Sequence, residues 1–79
     1  MDVKTAVEVL ERFKAHYSIL KYFRWDHLPE PLQAVSRSFG MLAARALLDV
    51  GDTKAPAEVA AGLRKLLEAK DCFVRAALK

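Results

Sequence analysis

The chain has one cysteine, three glycines and three prolines in 79 residues. It also lacks any uncharged apolar run approaching the roughly 18 residues that a membrane span requires. Each shortage excludes something. A single thiol, Cys72, can close neither an internal disulfide nor a zinc site, which fits a reducing, cytoplasmic compartment. Charges at Asp2, Lys4, Glu8 and Glu11 interrupt the first residues, so no secretory signal is expected. Few Gly and Pro beside 53% hydrophobic residues exclude a disordered, collagen-like or low-complexity chain. A strong charge of one sign is lacking too: thirteen Lys and Arg against ten Asp and Glu leave +3, with the signs interspersed. A protein that coats nucleic acid carries a denser basic stripe, so DNA is not the expected partner.

What is present is more apolar surface than so short a chain can cover. At this length folding buries only about 60% of the unfolded surface. A solitary monomer is therefore marginal, and association into a homo-oligomer is expected.

Three helical stretches separated by two breaks account for nearly all of the chain. In the first, residues 1–22, Val3, Ala6, Val7, Leu10, Phe13, Tyr17 and Leu20 recur at helical spacing, with Asp2 placed to cap. Asp26-His27-Leu28-Pro29-Glu30-Pro31 forces an extended turn, because each proline biases the residue before it away from the helical region. Pro29 or Pro31 then suits the first turn of a second helix, which carries Leu32, Val35, Phe39, Leu42, Ala43, Ala46 and Leu47. That helix is expected to end at Gly51 in the left-handed conformation. Pro56 and Glu58 open a third helix through Val59, Leu63, Leu66, Leu67, Lys70, Val74 and Leu78. No alternating segment bounded by turns predicts a strand. The expected fold is all-α: a single domain over residues 1–79, with helices two and three as an antiparallel hairpin and an additional N-terminal helix. Ala57, Ala60, Ala61, Gly62, Ala69, Ala76 and Ala77 spread over several faces of the third helix. Small and apolar residues thus exceed the stripe one partner helix covers, which predicts packing on two sides.

Signs of catalysis are few. The chain has no phosphate-binding glycine loop and no zinc-protease motif. His16 and His27 have no companions at metal-ligand spacing. Cys72 reads as a small buried hydrophobe, and Ser36 and Ser38 lack the surroundings of a nucleophile. No enzyme, cofactor or metal is expected.

Residues 13–25 are more informative. Five of the seven aromatics fall there: Phe13, Tyr17, Tyr22, Phe23 and Trp25, interleaved with Lys14, Lys21 and Arg24. Tyr22, Phe23 and Trp25 cannot all point inward from one helix, so at least one is exposed or meets another chain. An aromatic face beside cations suits a purine and its phosphate: stacking supplies contact area, and Arg or Lys supplies charged hydrogen bonds. The alternative is a helical module that docks on a host protein through the Tyr22–Trp25 surface. A second basic run, Arg64-Lys65-Leu66-Leu67-Glu68-Ala69-Lys70, reads as a solvated helix face. Lys65 joins a site only if an oligomer sets it opposite another chain's aromatics.

Phe23-Arg24-Trp25-Asp26-His27-Leu28-Pro29 resembles the aromatic–basic–aromatic–His–Pro motif of small phage anti-CBASS sponge proteins, which sequester cyclic oligonucleotide signals of bacterial immunity. Val35-Ser36-Arg37-Ser38-Phe39 with Leu42-Ala43 is similar to the helix that follows in that family. Leu67-Glu68-Ala69 and Arg75-Ala76-Ala77-Leu78 are similar to its last helix. The likeness covers residues 23–79; residues 1–22 lie outside it, Asp26 is an insertion, and Trp25 stands where Tyr is usual. The resemblance implies a non-enzymatic helical protein in the host bacterial cytoplasm, hexameric, holding cyclic di- or trinucleotides between protomers. Within it Trp25 is the stacking platform and Arg37 the phosphate partner. Ser36 or Ser38 supplies the hydroxyl, and Phe23, His27 and Lys65 complete the candidate site.

Overall fold

Asp2 opens the first helix, α1 (Val3–Phe13), as its position predicts: its Oδ1 accepts from the Thr5 amide at 2.7 Å. The stripe Ala6, Val9, Leu10 and Phe13 faces inward. In the computed structural model, which describes residues 1–78, the N-terminal helix then breaks instead of continuing to residue 22. A turn at residues 14–17 leads into a short 3₁₀ helix, Ser18–Phe23. The aromatic spacing explains the break. In a straight α-helix Phe23 and Trp25 would project about 200° apart and could not both be buried. Tyr17, Leu20 and Phe23 stand three apart, the repeat of a 3₁₀ helix, and all three are buried, as is Trp25 just beyond.

The second and third helices form the expected antiparallel hairpin. The second, α2 (Glu30–Val50), has Pro31 in its first turn; the third, α3 (Pro56–Ala77), begins on Pro56 with Glu58 close behind. Phe39 of α2 meets Phe73 of α3 with ring centroids 5.6 Å apart, near the end of the hairpin remote from its turn. Gly51 departs from expectation. It is right-handed (φ −62°, ψ −28°) and its amide still donates to the Leu47 carbonyl at 2.7 Å. Close approach, not left-handed geometry, accounts for this glycine: a Cβ there would lie 2.6 Å from the Phe13 ring.

α1 and the 3₁₀ helix lie across one face of the hairpin. On α2 that face consists of small residues, Ser36, Gly40, Ala43 and Ala44, with Leu47. They let the bulky N-terminal side chains come close: a Cβ on Gly40 would sit 2.4 Å from the Trp25 ring. Burial of Phe23, Leu10, Leu20 and Leu47, each at most 2% exposed, drives this docking. Each such side chain stabilises by about 1.5–3 kcal/mol relative to exposure. Exposed ion pairs add less. Arg12–Asp52, at 3.1 Å and largely solvated, falls in the range of about 0–1 kcal/mol. Arg24 is better placed, its guanidinium reaching Glu11 at 2.6 Å and Asp26 at 3.0 Å, so it ties α1 to the turn before α2.

The opposite face of the hairpin has no covering element within the chain. Leu42, Val50 and Phe73 are 54%, 51% and 59% exposed there. Among the described residues no helix is long and apolar enough to cross a membrane.

Candidate functional site

A polar concavity lies where the 3₁₀ helix meets α3. Lys21, Tyr22, Arg24 and His27 form one wall, and Leu67, Lys70 and Asp71 the other, around about 380 Å³. The break after α1 creates it. Turning the chain into a 3₁₀ helix sends Leu20 and Phe23 inward and leaves Lys21 and Tyr22 on the outer side. Lys21 Nζ lies 5.1 Å from the centroid of the Tyr22 ring, within cation–π range. Tyr22 is 53% exposed, so its ring is available to a further stacking partner.

Lys70 holds the two walls together. It occupies the inward stripe of α3 with Leu63, and its Nζ donates to the Tyr22 carbonyl at 2.5 Å. Such a bond to a charged donor outweighs a neutral one, at about 1.5–3 kcal/mol. It fixes the backbone of Tyr22 and keeps a positive charge at the base of the cleft. Arg24 is partly spoken for by Glu11 and Asp26, while its Nε is buried without a hydrogen-bond partner. Glu11 in turn is held below its ordinary pKa, first by Lys14, 3.1 Å away, and then by Arg24. It therefore remains a carboxylate that positions Arg24. Asp71 is the one acidic side chain lining the cleft, against Lys21, Arg24 and Lys70. The local balance favours an anion.

The structure brings few of the sequence-derived candidates together. His27 lines the cleft and is exposed. Trp25 and Phe23 do not line it. They are 5% and 0% exposed, and the Trp25 ring is pressed against Gly40, so the stacking role assigned to Trp25 is closed in this fold. Ser36 is fully buried with its hydroxyl unpartnered, and so presents nothing to a ribose. Arg37, Ser38 and Lys65 are exposed but lie outside the cleft lining, and Ser38 turns its hydroxyl back to the Ala34 carbonyl at 3.4 Å. The Tyr22–Trp25 docking surface shrinks in the same way, since Tyr22 alone of its three aromatics is exposed. Cys72 is exposed rather than buried, with Arg75 Nη2 at 3.3 Å from its sulfur. His16 and His27 are both exposed, and among the described residues no cluster of His, Cys, Asp or Glu is arranged to hold a metal.

Lys21, Tyr22, Arg24 and Lys70 line the cleft but were not among the candidate site residues read from the sequence. One signal pointed to Lys70: it stands on the buried stripe of α3, seven residues after Leu63, where a cation needs a partner. No protein-family model matches the chain, and comparison with curated proteins and with solved structures found no match.

Proposed function

We propose that the chain is a non-enzymatic phage immune-evasion protein. In this reading it binds and sequesters a cyclic nucleotide signal of bacterial defence in the host cytoplasm, with the cleft between the 3₁₀ helix and α3 as its binding surface. The observation that carries the reading is the pairing of a half-exposed Tyr22 ring with Lys21, Arg24 and Lys70 around one concavity. A purine base needs a flat apolar face, and its phosphate needs fixed cations; the cleft offers both within a few ångströms. The sequence resemblance supplies the ligand class, and the exposure of Tyr22 beside the buried Trp25 supports Tyr22 as the stacking ring in this reading. Sequestration needs affinity without turnover. A site whose Lys70 and Tyr22 are already locked together loses little freedom on binding.

Calorimetric titration with a panel of cyclic di- and trinucleotides tests the reading. At least one is expected to bind, and Tyr22→Ala to weaken that binding by about 5- to 150-fold, the equivalent of one lost base stack. No heat from any ligand overturns the function. Binding that survives Tyr22→Ala but is lost in Arg37→Glu overturns the site.

A further inference from the structure

The apolar groove on the uncovered face of the hairpin is unlike the cleft. It encloses about 460 Å³, with Ala46 and Val50 of α2 on one side and Val59, Gly62 and Leu66 of α3 on the other. Gly62 stands exposed at its edge, over the buried Leu47 and Leu63, and a Cβ there would meet nothing within 4 Å. On the same helix Phe73 stands proud at 59% exposed, in tilted contact with Phe39. Eleven residues separate Gly62 from Phe73, about three turns, so hole and knob share one side of α3. Between and around them large and small side chains alternate at coiled-coil spacing: Val59, Gly62, Leu66, Ala69, Phe73, Ala76.

We propose that a second copy of this chain packs antiparallel across α3, with the Phe73 side chain of each copy filling the groove beside Gly62 of the other. An antiparallel twofold centred between Leu67 and Glu68 sets Phe73 on Gly62, Leu66 on Ala69 and Val59 on Ala76, large against small at every layer. A twofold interface must be self-complementary, each contact occurring twice, and this pattern meets that demand; Glu58, which also lines the groove, stands at its end next to the hairpin turn. Size is also sufficient. The face spans the 22 residues of α3, about 33 Å, and the width of two helices, roughly 18 Å. That gives roughly 600 Å² per copy and about 1,200 Å² in total, the lower bound for a specific interface. The inference does not rest on the cleft: Leu67 and Asp71, which line it, lie about 140–180° around α3 from Gly62.

Sedimentation equilibrium from low micromolar to sub-millimolar concentration provides the test. The wild-type chain is expected to reach at least twice its 8.8 kDa mass. Gly62→Phe plugs the groove and Phe73→Ala removes the knob; each is expected to raise the dissociation constant on the order of tenfold or more while leaving helicity unchanged by circular dichroism. The double variant Gly62→Phe/Phe73→Ala exchanges knob and hole and is expected to recover association. A wild-type chain that stays monomeric throughout overturns the proposal. So does association indifferent to both single variants, and so does a Gly62→Phe chain that loses its helices, since the groove would then be closed. Cyclic nucleotide titrations that give no heat leave every one of these masses unaffected.

Discussion

Replacing Gly40 with alanine isolates the contact that seats the N-terminal segment on the hairpin. An ideal Cβ at residue 40 falls 2.4 and 2.6 Å from two carbons of the Trp25 ring and 2.7 Å from the Phe23 carbonyl oxygen. Favourable carbon–carbon contact begins near 3.5 Å, so the ring and the backbone must each retreat by about 1 Å. Neither is free to do so, because Trp25 is 5% exposed and Phe23 is fully buried. Overpacking of this kind costs about 1–3 kcal/mol, or more where backbone must move. Alanine in a helix interior returns about 1 kcal/mol of propensity relative to glycine. The clash involves backbone, so the upper end of the cost applies, and a net loss of about 2 kcal/mol is expected. In a domain of this size that corresponds to a fall in Tm of about 8–16 °C. The same substitution at Gly62, where a Cβ meets nothing within 4 Å, keeps the propensity gain without the clash. Gly62→Ala is therefore expected to raise Tm by about 4–8 °C. Thermal unfolding by circular dichroism at a few micromolar, with the two variants side by side, reads the difference in sign. If Gly40→Ala also stabilises, Trp25 does not lie on Gly40, and the docking of the 3₁₀ segment described above is wrong.

Two further outcomes bear on the cleft and on α1. Lys70→Met keeps the apolar stem of a side chain that is 9% exposed but leaves the Tyr22 carbonyl without its donor. Urea denaturation is expected to show a loss of about 1.5–3 kcal/mol, and stability equal to wild type refutes the structural role given to Lys70. Asp2 is held below its ordinary pKa by the Thr5 amide it caps, and Glu11 by Lys14 and then Arg24. Carboxylates depressed in the folded chain stabilise it above their unfolded values, and that contribution disappears as pH falls through the folded ones. Tm is thus expected to decline on acidification through the carboxylate range, and less steeply in an Asp2→Asn/Glu11→Gln chain. Equal slopes in the two proteins refute the assignment.

The helical content, the proline-led starts of α2 and α3, the hairpin and the Asp2 cap were all legible, because each depends on local spacing or on one residue's intrinsic chemistry. The break after Phe13 was not. Tyr17 and Leu20 satisfy an α-helical stripe and a 3₁₀ one equally well, and only Phe23 and Trp25 decide between them. Their common burial depends on a surface of small residues, Ser36, Gly40, Ala43 and Ala44, that is supplied from another part of the chain. The same gap hid which candidate side chains are accessible. The aromatic residues interleaved with cations were visible along the chain, but which ring faces water followed from the break: Phe23 and Trp25 turned in, Tyr22 turned out.

The two concavities also differ in what α3 contributes to each, and the difference separates binding from association. Lys70 reaches toward the 3₁₀ helix and anchors the Tyr22 backbone, whereas Gly62 and Leu66 open away from it. Of the exposed large hydrophobic side chains, Leu42, Val50 and Phe73 lie on the second side. The first side presents Lys21, Arg24 and Lys70 around the cleft. Association through the groove, as proposed, would bury part of that apolar surface without covering the cleft, and each copy would keep Lys21, Arg24, Lys70 and its own Tyr22. On the proposed function, that separation leaves the number of open clefts per chain unchanged by assembly.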